Sequence, residues 1–149
     1  NVYKQKGSPA VALRLIPFQI PELESCSWRV DIGADPMSYA SPFEMNSLIV
    51  GISVYPSIEV AADQFSLIAT QTKNLINDLD TCEGEVQNSF FYLSCSNKLT
   101  SPGEEGKLIR DIKVQKHKGN LIIHAEVNFG EDKQPVCELS QLKELVRSV

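Results

Sequence analysis

Asn46–Val54, NSLIVGISV, is echoed by Gly119–Val127, GNLIIHAEV. In the first stretch Leu48, Val50, Ile52 and Val54 alternate onto one side while Gly51 and Ser53 fall on the other, the period of a strand with one buried face. Each stretch is followed by a short extended run and then an amphipathic helix. The first sequel is Ser57–Val60 and a helix over 61–79, where Phe65, Ile68, Ala69, Thr72, Leu75, Ile76 and Leu79 recur at helical spacing. The second is Pro135–Leu139 and a helix over 140–149 carrying Leu142, Leu145, Val146 and Val149, with the longer loop Gly130–Gln134 absorbing the drift in spacing. Such self-similarity constrains the fold before any function is considered.

Working outward, further strand signals lie at Ala10–Phe18 and Ser27–Gly33 in the first half, and at Ser89–Cys95 and Lys107–Gln115 in the second, punctuated by Pro17, Pro21, Pro36, Pro42 and Pro56. The expected fold class is α+β, two tandem four-strand-plus-helix (ββββα) repeats within one domain over 1–149, repeat one about 2–80 and repeat two about 86–149. A ferredoxin-like pair fits less well, because each helix follows its strands and does not interrupt them. One helix cannot cover a four-stranded sheet alone, so the two units are expected to pack back to back through their helices with the other sheet faces outward. Trp28, alternating with Val30 and Ile32, reads as core, and the acidic segment Asp78–Glu85 reads as a solvated linker between the halves.

At 149 residues, 42% hydrophobic and 22% charged, the chain has enough apolar material for a substantial core and nothing that suggests disorder. Its apolar runs are far too short for a membrane-spanning helix. Cys26, Cys82, Cys95 and Cys137 show no C-x-x-C spacing, which argues against zinc. Cys82 and Cys95 would bridge in a secreted protein; the reading preferred here is that the cysteines are small reduced hydrophobes in or near strands.

The net charge of −5 argues against a polyanionic partner, but the distribution is uneven. Lys4, Lys6 and Arg14 precede the first acid at Glu22, and Lys98, Lys107, Arg110, Lys113, Lys116 and Lys118 crowd one segment of the second half. Two basic segments on an acidic body make a one-sided surface. Along 107–118, alternation puts Arg110 with Leu108, Ile112 and Val114 on one side. Lys107, Lys113, Gln115 and His117 fall on the other, a candidate cationic strip.

Catalytic signals are sparse. His117 falls at a hairpin tip and His124 in a strand interior; a Cys137/His124 pair is the one nucleophile–base combination considered, with no local motif behind it. Gly103–Gly106 reads as a turn, not a phosphate loop. A non-enzyme without cofactor or metal is the expectation.

Two segments carry a family resemblance. Val2–Phe18, VYKQKGSPAVALRLIPF, is similar to the opening strand of the Whirly family of single-stranded nucleic-acid-binding proteins, and Gly103–Val114, GEEGKLIRDIKV, is similar to a basic segment of that family's second half. Gln5 and Ser8–Pro9 depart from the plant pattern and fit better with the kinetoplastid mitochondrial guide-RNA-binding proteins, which have a Whirly-like fold. The resemblance implies a mitochondrial RNA-binding subunit that promotes annealing of single-stranded or guide RNA in RNA editing. It would work in a heterotetramer with a homologous, more basic subunit. Its binding residues would be Tyr3, Lys4, Lys6, Arg14, Lys107, Arg110, Lys113, Lys116, His117 and Lys118, holding phosphates, with Tyr3, Tyr92 or Phe91 as candidates for stacking on bases. An organellar single-stranded DNA-binding protein and a non-enzymatic protein–protein assembly module are the alternatives.

Overall fold

The computed structural model describes residues 2–4, 12–14, 18–20, 25–33 and 46–149. The architecture is α+β, an antiparallel sheet with two helices. β1 (Val2–Lys4) and β2 (Ala12–Arg14) pair with each other. β3 (Phe18–Ile20), β4 (Ser25–Gly33), β5 (Asn46–Val54), β6 (Cys82–Val86), β7 (Phe90–Lys98), β8 (Leu108–Lys118) and β9 (Leu121–Gly130) form one seven-stranded sheet in the order β3-β4-β5-β9-β8-β7-β6. α1 (Ile58–Asp78) joins β5 to β6, and α2 (Leu139–Ser148) follows β9.

The two echoed stretches are neighbours: β5 and β9 pair antiparallel from Asn46↔Phe129 to Val54↔Leu121. Their pleats place Leu48, Val50 and Ile52 beside Val127, Ala125 and Ile123 on one face, where they pack with Phe90, Ile112 and Val114 under Leu142 and Val146 of α2. On the opposite face Ile122, Phe91 and Tyr55 pack under Ala61, Phe65 and Ala69 of α1. The expected pair of sheets packed back to back is therefore replaced by one continuous sheet with a helix on each side. A two-fold axis relating adjacent antiparallel strands runs normal to the sheet and would put both helices on the same face. Their opposite placement shows that the two-fold relation between β5 and β9 does not extend to the helices.

Several boundaries shift for local reasons. The expected strand Ser57–Val60 is the start of α1, because the Ser57 hydroxyl caps the helix by accepting from Val60 N at 3.2 Å. Ser140 was expected to begin the second helix, yet α2 starts at Leu139, and Val136–Leu139 forms no strand. The Asn46 side chain holds that connection instead, donating to Gln134 O and accepting from Val136 N, both at 2.9 Å. The acidic segment expected as a linker contains β6, the sheet edge. Cys82, Gly84 and Val86 turn toward the α1 face while Glu83 and Glu85 alternate away, so the charges hide a strand period. Acids on an edge strand discourage unwanted pairing with other chains. Trp28 falls in β4 opposite Ile52. The burial expected for its side chain lies outside the described residues.

The cysteine expectation is also corrected: Cys82 and Cys95, directly opposite in the β6–β7 register, are joined by a disulfide, while Cys137 is free. Thirteen residues apart, they close a hairpin loop. Gly84 lies beneath α1; a Cβ there would sit 2.2 Å from Tyr92 O and 3.0 Å from Ile76 Cδ1. The backbone oxygen on β7 cannot swing away as the end of the Ile76 side chain could, so glycine is what allows β6 to lie this close to β7 beneath the helix.

Gly84→Ala is therefore expected to lower unfolding free energy by roughly 1–3 kcal/mol, measured by urea titration against the wild type. Replacing both Cys82 and Cys95 by Ser should cost about 3 kcal/mol under oxidising conditions and nothing in excess reductant, where the wild type is already unbridged.

Candidate nucleic-acid interface

Strand β8 carries half of the predicted binding residues, and the pleat distributes them to both sides of the sheet. Arg110, Lys116 and Lys118 share the α2 face with Ile112 and Val114, whereas Lys113 and His117 share the α1 face with Asp111 and Gln115. Lys107 lies just before the strand. The single outer plane of cations expected from the sequence is thus not formed by this group, because one strand cannot present consecutive residues to one side. Among the amino-terminal candidates, Tyr3 and Lys4 fall in β1 and Arg14 in β2, while Lys6 lies outside the described residues.

Carboxylates neutralise three of these cations. Lys107 Nζ lies 3.8 Å from Glu104 Oε1. Lys113 Nζ is 3.8 Å from Glu126 Oε1, directly across the β8–β9 ladder. Arg110 is more heavily engaged, with Nη2 3.0 Å from Glu131 Oε1, Nη1 3.9 Å from Glu83 Oε1 and a hydrogen bond to Ser94 Oγ at 3.4 Å. It floors a pocket of about 240 Å³ with Asp80, Thr81, Glu83, Ser94 and Ser96. Those acids oppose an incoming phosphate. His117 is stacked on Phe65 at 5.8 Å between ring centroids, and its Nε2 lies 2.7 Å from Gly119 O. It is a structural contact of α1 and of the β8–β9 turn.

A different cluster forms at the carboxyl end of α2. Lys116 Nζ donates to Arg147 O at 2.9 Å and Val149 O at 3.3 Å, and Lys118 Nζ donates to Val149 O at 3.1 Å. These bonds satisfy the carbonyls left over where the helix ends and place positive charge at the negative end of its dipole. Beside them Lys143 Nζ sits 3.7 Å from the Tyr92 ring centroid, and Arg147 Cζ sits 4.5 Å from that of Phe90. Lys116, Lys118, Lys143 and Arg147 make no ion pair with a side-chain carboxylate of the described residues. Sequence reasoning found the first two and missed the helical pair. The available signal was their spacing: at i and i+4, each one residue after a core position, Leu142 and Val146, they flank the apolar stripe on the same side.

The α1 face of β5, β9 and β8 carries a row of polar side chains. Asp111 accepts from Asn97 Nδ2 at 3.2 Å, and burial, then the nearby Glu126 charge, push its carboxyl above the ordinary aspartate range despite Lys113. Ser47 Oγ and Gln115 Oε1 are buried here without a hydrogen-bond partner. Gly51 makes room for the neighbouring imidazole, since a Cβ would meet His124 Cε1 at 2.2 Å. The Cys137/His124 pair considered from the sequence is not assembled. Cys137 packs with the α2-side core and His124 faces the other side of the sheet. Burial and Glu138 also raise the Cys137 thiol, which keeps it protonated near neutrality. Among the described residues no group of three or more His, Cys, Asp or Glu is placed to hold a metal. No described helix is long and apolar enough to cross a membrane.

Comparisons with protein-family models, curated proteins and solved structures find no match.

Since the folded Asp111 carboxyl binds its proton more tightly than the unfolded one, stability should fall as pH rises from about 4 through the raised folded value, and stay lower above it. Asp111→Asn removes that cost while retaining an acceptor for Asn97. The expected outcome is a higher Tm than wild type at pH 7 and no difference near pH 3, read by thermal melts across the range.

Proposed function

We propose that this chain is a non-enzymatic, single-stranded RNA-binding protein that holds the phosphate backbone at the carboxyl end of α2. The observation that carries the reading is the convergence of Lys116, Lys118, Lys143 and Arg147 beside the rings of Tyr92 and Phe90. Cations that make no ion pair with a side-chain carboxylate of the described residues release counterions when phosphates replace water, and the aromatic neighbours suit nucleotides better than simple anions. Such binding leaves base edges open, which is how a protein without a catalytic centre promotes annealing. The Whirly resemblance supports the same ligand class and extends it to guide RNA in mitochondrial editing, with a more basic homologous subunit as partner. The exposed Glu83 and Glu85 on edge strand β6 are the surface that would suit such a partner.

A second reading, a protein–protein assembly module, is favoured by two observations. The Cys82–Cys95 disulfide belongs to compartments in which thiols are not kept reduced. Leu67 and Leu75 on α1 and Leu79 at its C-cap are 54%, 40% and 44% exposed, and the last two border a groove of about 390 Å³ with Gln71, Asn74 and Asp78.

One experiment separates the readings. In filter binding of a single-stranded RNA across a salt series, four phosphate contacts predict a slope of log K against log salt of about −3. Lys143→Gln with Arg147→Gln should roughly halve it. No binding, or affinity indifferent to salt, removes the RNA reading and leaves the assembly module. Competition with DNA of the same sequence then decides between RNA and single-stranded DNA.

A further inference from the structure

Tyr92 differs from the other rings of this face. Phe90, two residues earlier on β7, is buried beneath the α2 end, whereas Tyr92 is half-buried, packed on one side against the same core, with the Lys143 ammonium 3.7 Å from its ring centroid. Next along this face stand Lys116, paired with Phe90 in the ladder, and Arg147, over the Phe90 ring, with Lys118 beyond them at the end of α2. An ammonium over a ring that water still reaches is weakly held, since water competes for it. A nucleobase covers more of the accessible ring face than an ammonium does and brings a phosphate with it, and that phosphate is a better partner for the displaced ammonium than the ring was.

We propose that Tyr92 is a stacking subsite for one unpaired nucleobase. Lys143 caps it in the ligand-free protein and moves to the adjoining phosphate when the base arrives. This rests on the RNA-binding reading and deepens it by naming what that site selects. A base already stacked within a duplex cannot reach the ring, so the subsite favours single strands over duplexes. Lys116, Lys118 and Arg147, which would meet the RNA through its phosphates, do not discriminate. Lysine suits the capping role because its four-carbon stem lets the ammonium travel without moving α2.

The test is equilibrium binding of a labelled single-stranded RNA and of the same sequence as a duplex to wild type, Tyr92→Leu, Tyr92→Phe and Lys143→Gln, with each variant's Tm recorded. Tyr92→Leu should lose roughly 5- to 150-fold in single-strand affinity with the duplex affinity and salt slope unchanged. Tyr92→Phe should retain the preference for single strands. Lys143→Gln should keep the preference but flatten the single-strand salt slope by about 0.7. Single-strand affinity untouched in Tyr92→Leu, or an equal loss on single strand and duplex, overturns the subsite while leaving the RNA-binding reading in place. A wild type that binds no RNA ends both.

Discussion

The rest of the structure depends on the antiparallel ladder between β5 and β9. It joins strands far apart in the chain, places Leu48, Val50 and Ile52 against Val127, Ala125 and Ile123, and so makes one sheet from what would otherwise be separate hairpins. Such a ladder commits the side-chain faces, because a one-residue slip would move every apolar residue of β5 to the opposite side. Once it is set, both faces of the sheet carry apolar surface needing cover, and the two helices divide the work: Leu142 and Val146 seal one face, Ala61, Phe65 and Ala69 the other.

The same pleat governs the electrostatics. Cations that are neighbours in sequence along β8 emerge on opposite faces, and what they do depends on the strand beside them. Lys113 meets Glu126 across β9, Arg110 meets Glu131 and Glu83, and Lys116 and Lys118 meet the end of α2. A basic run read linearly is thus divided into neutralised pairs and one cluster. Because α2 brings Lys143 and Arg147 to that cluster, the candidate binding surface belongs to a helix–sheet junction and not to an open sheet face.

The edge at β6 shows how charge, backbone and covalent chemistry combine. Its alternating glutamates keep it solvated, Gly84 lets it lie close to the β7 backbone, and the disulfide holds the short strand to β7. Each feature offsets a weakness of the others, since a five-residue edge strand has few ladder bonds and little apolar side chain of its own. An edge built this way also limits where a partner strand can add.

Local pattern was enough to identify the α+β class, the long strands and both helices, but not the arrangement of the sheet. Strand and helix periods are written in neighbouring residues: Leu48 to Val54 alternate by two, and Phe65, Ala69 and Thr72 recur by helical turns. The alternation of Arg110 against Lys113 was legible for the same reason. Where the period was masked by charge, as in Cys82–Val86, or imitated over a few residues, as in Ser57–Val60, local reading failed. Tertiary structure alone decided that the echoed strands pair with each other, that the helices take opposite faces, that Cys82 meets Cys95, and that Lys143 and Arg147 join Lys116 and Lys118. Those outcomes depend on which distant surfaces bury one another, and burial is a property of the assembled chain, whereas periodicity is carried by each segment separately.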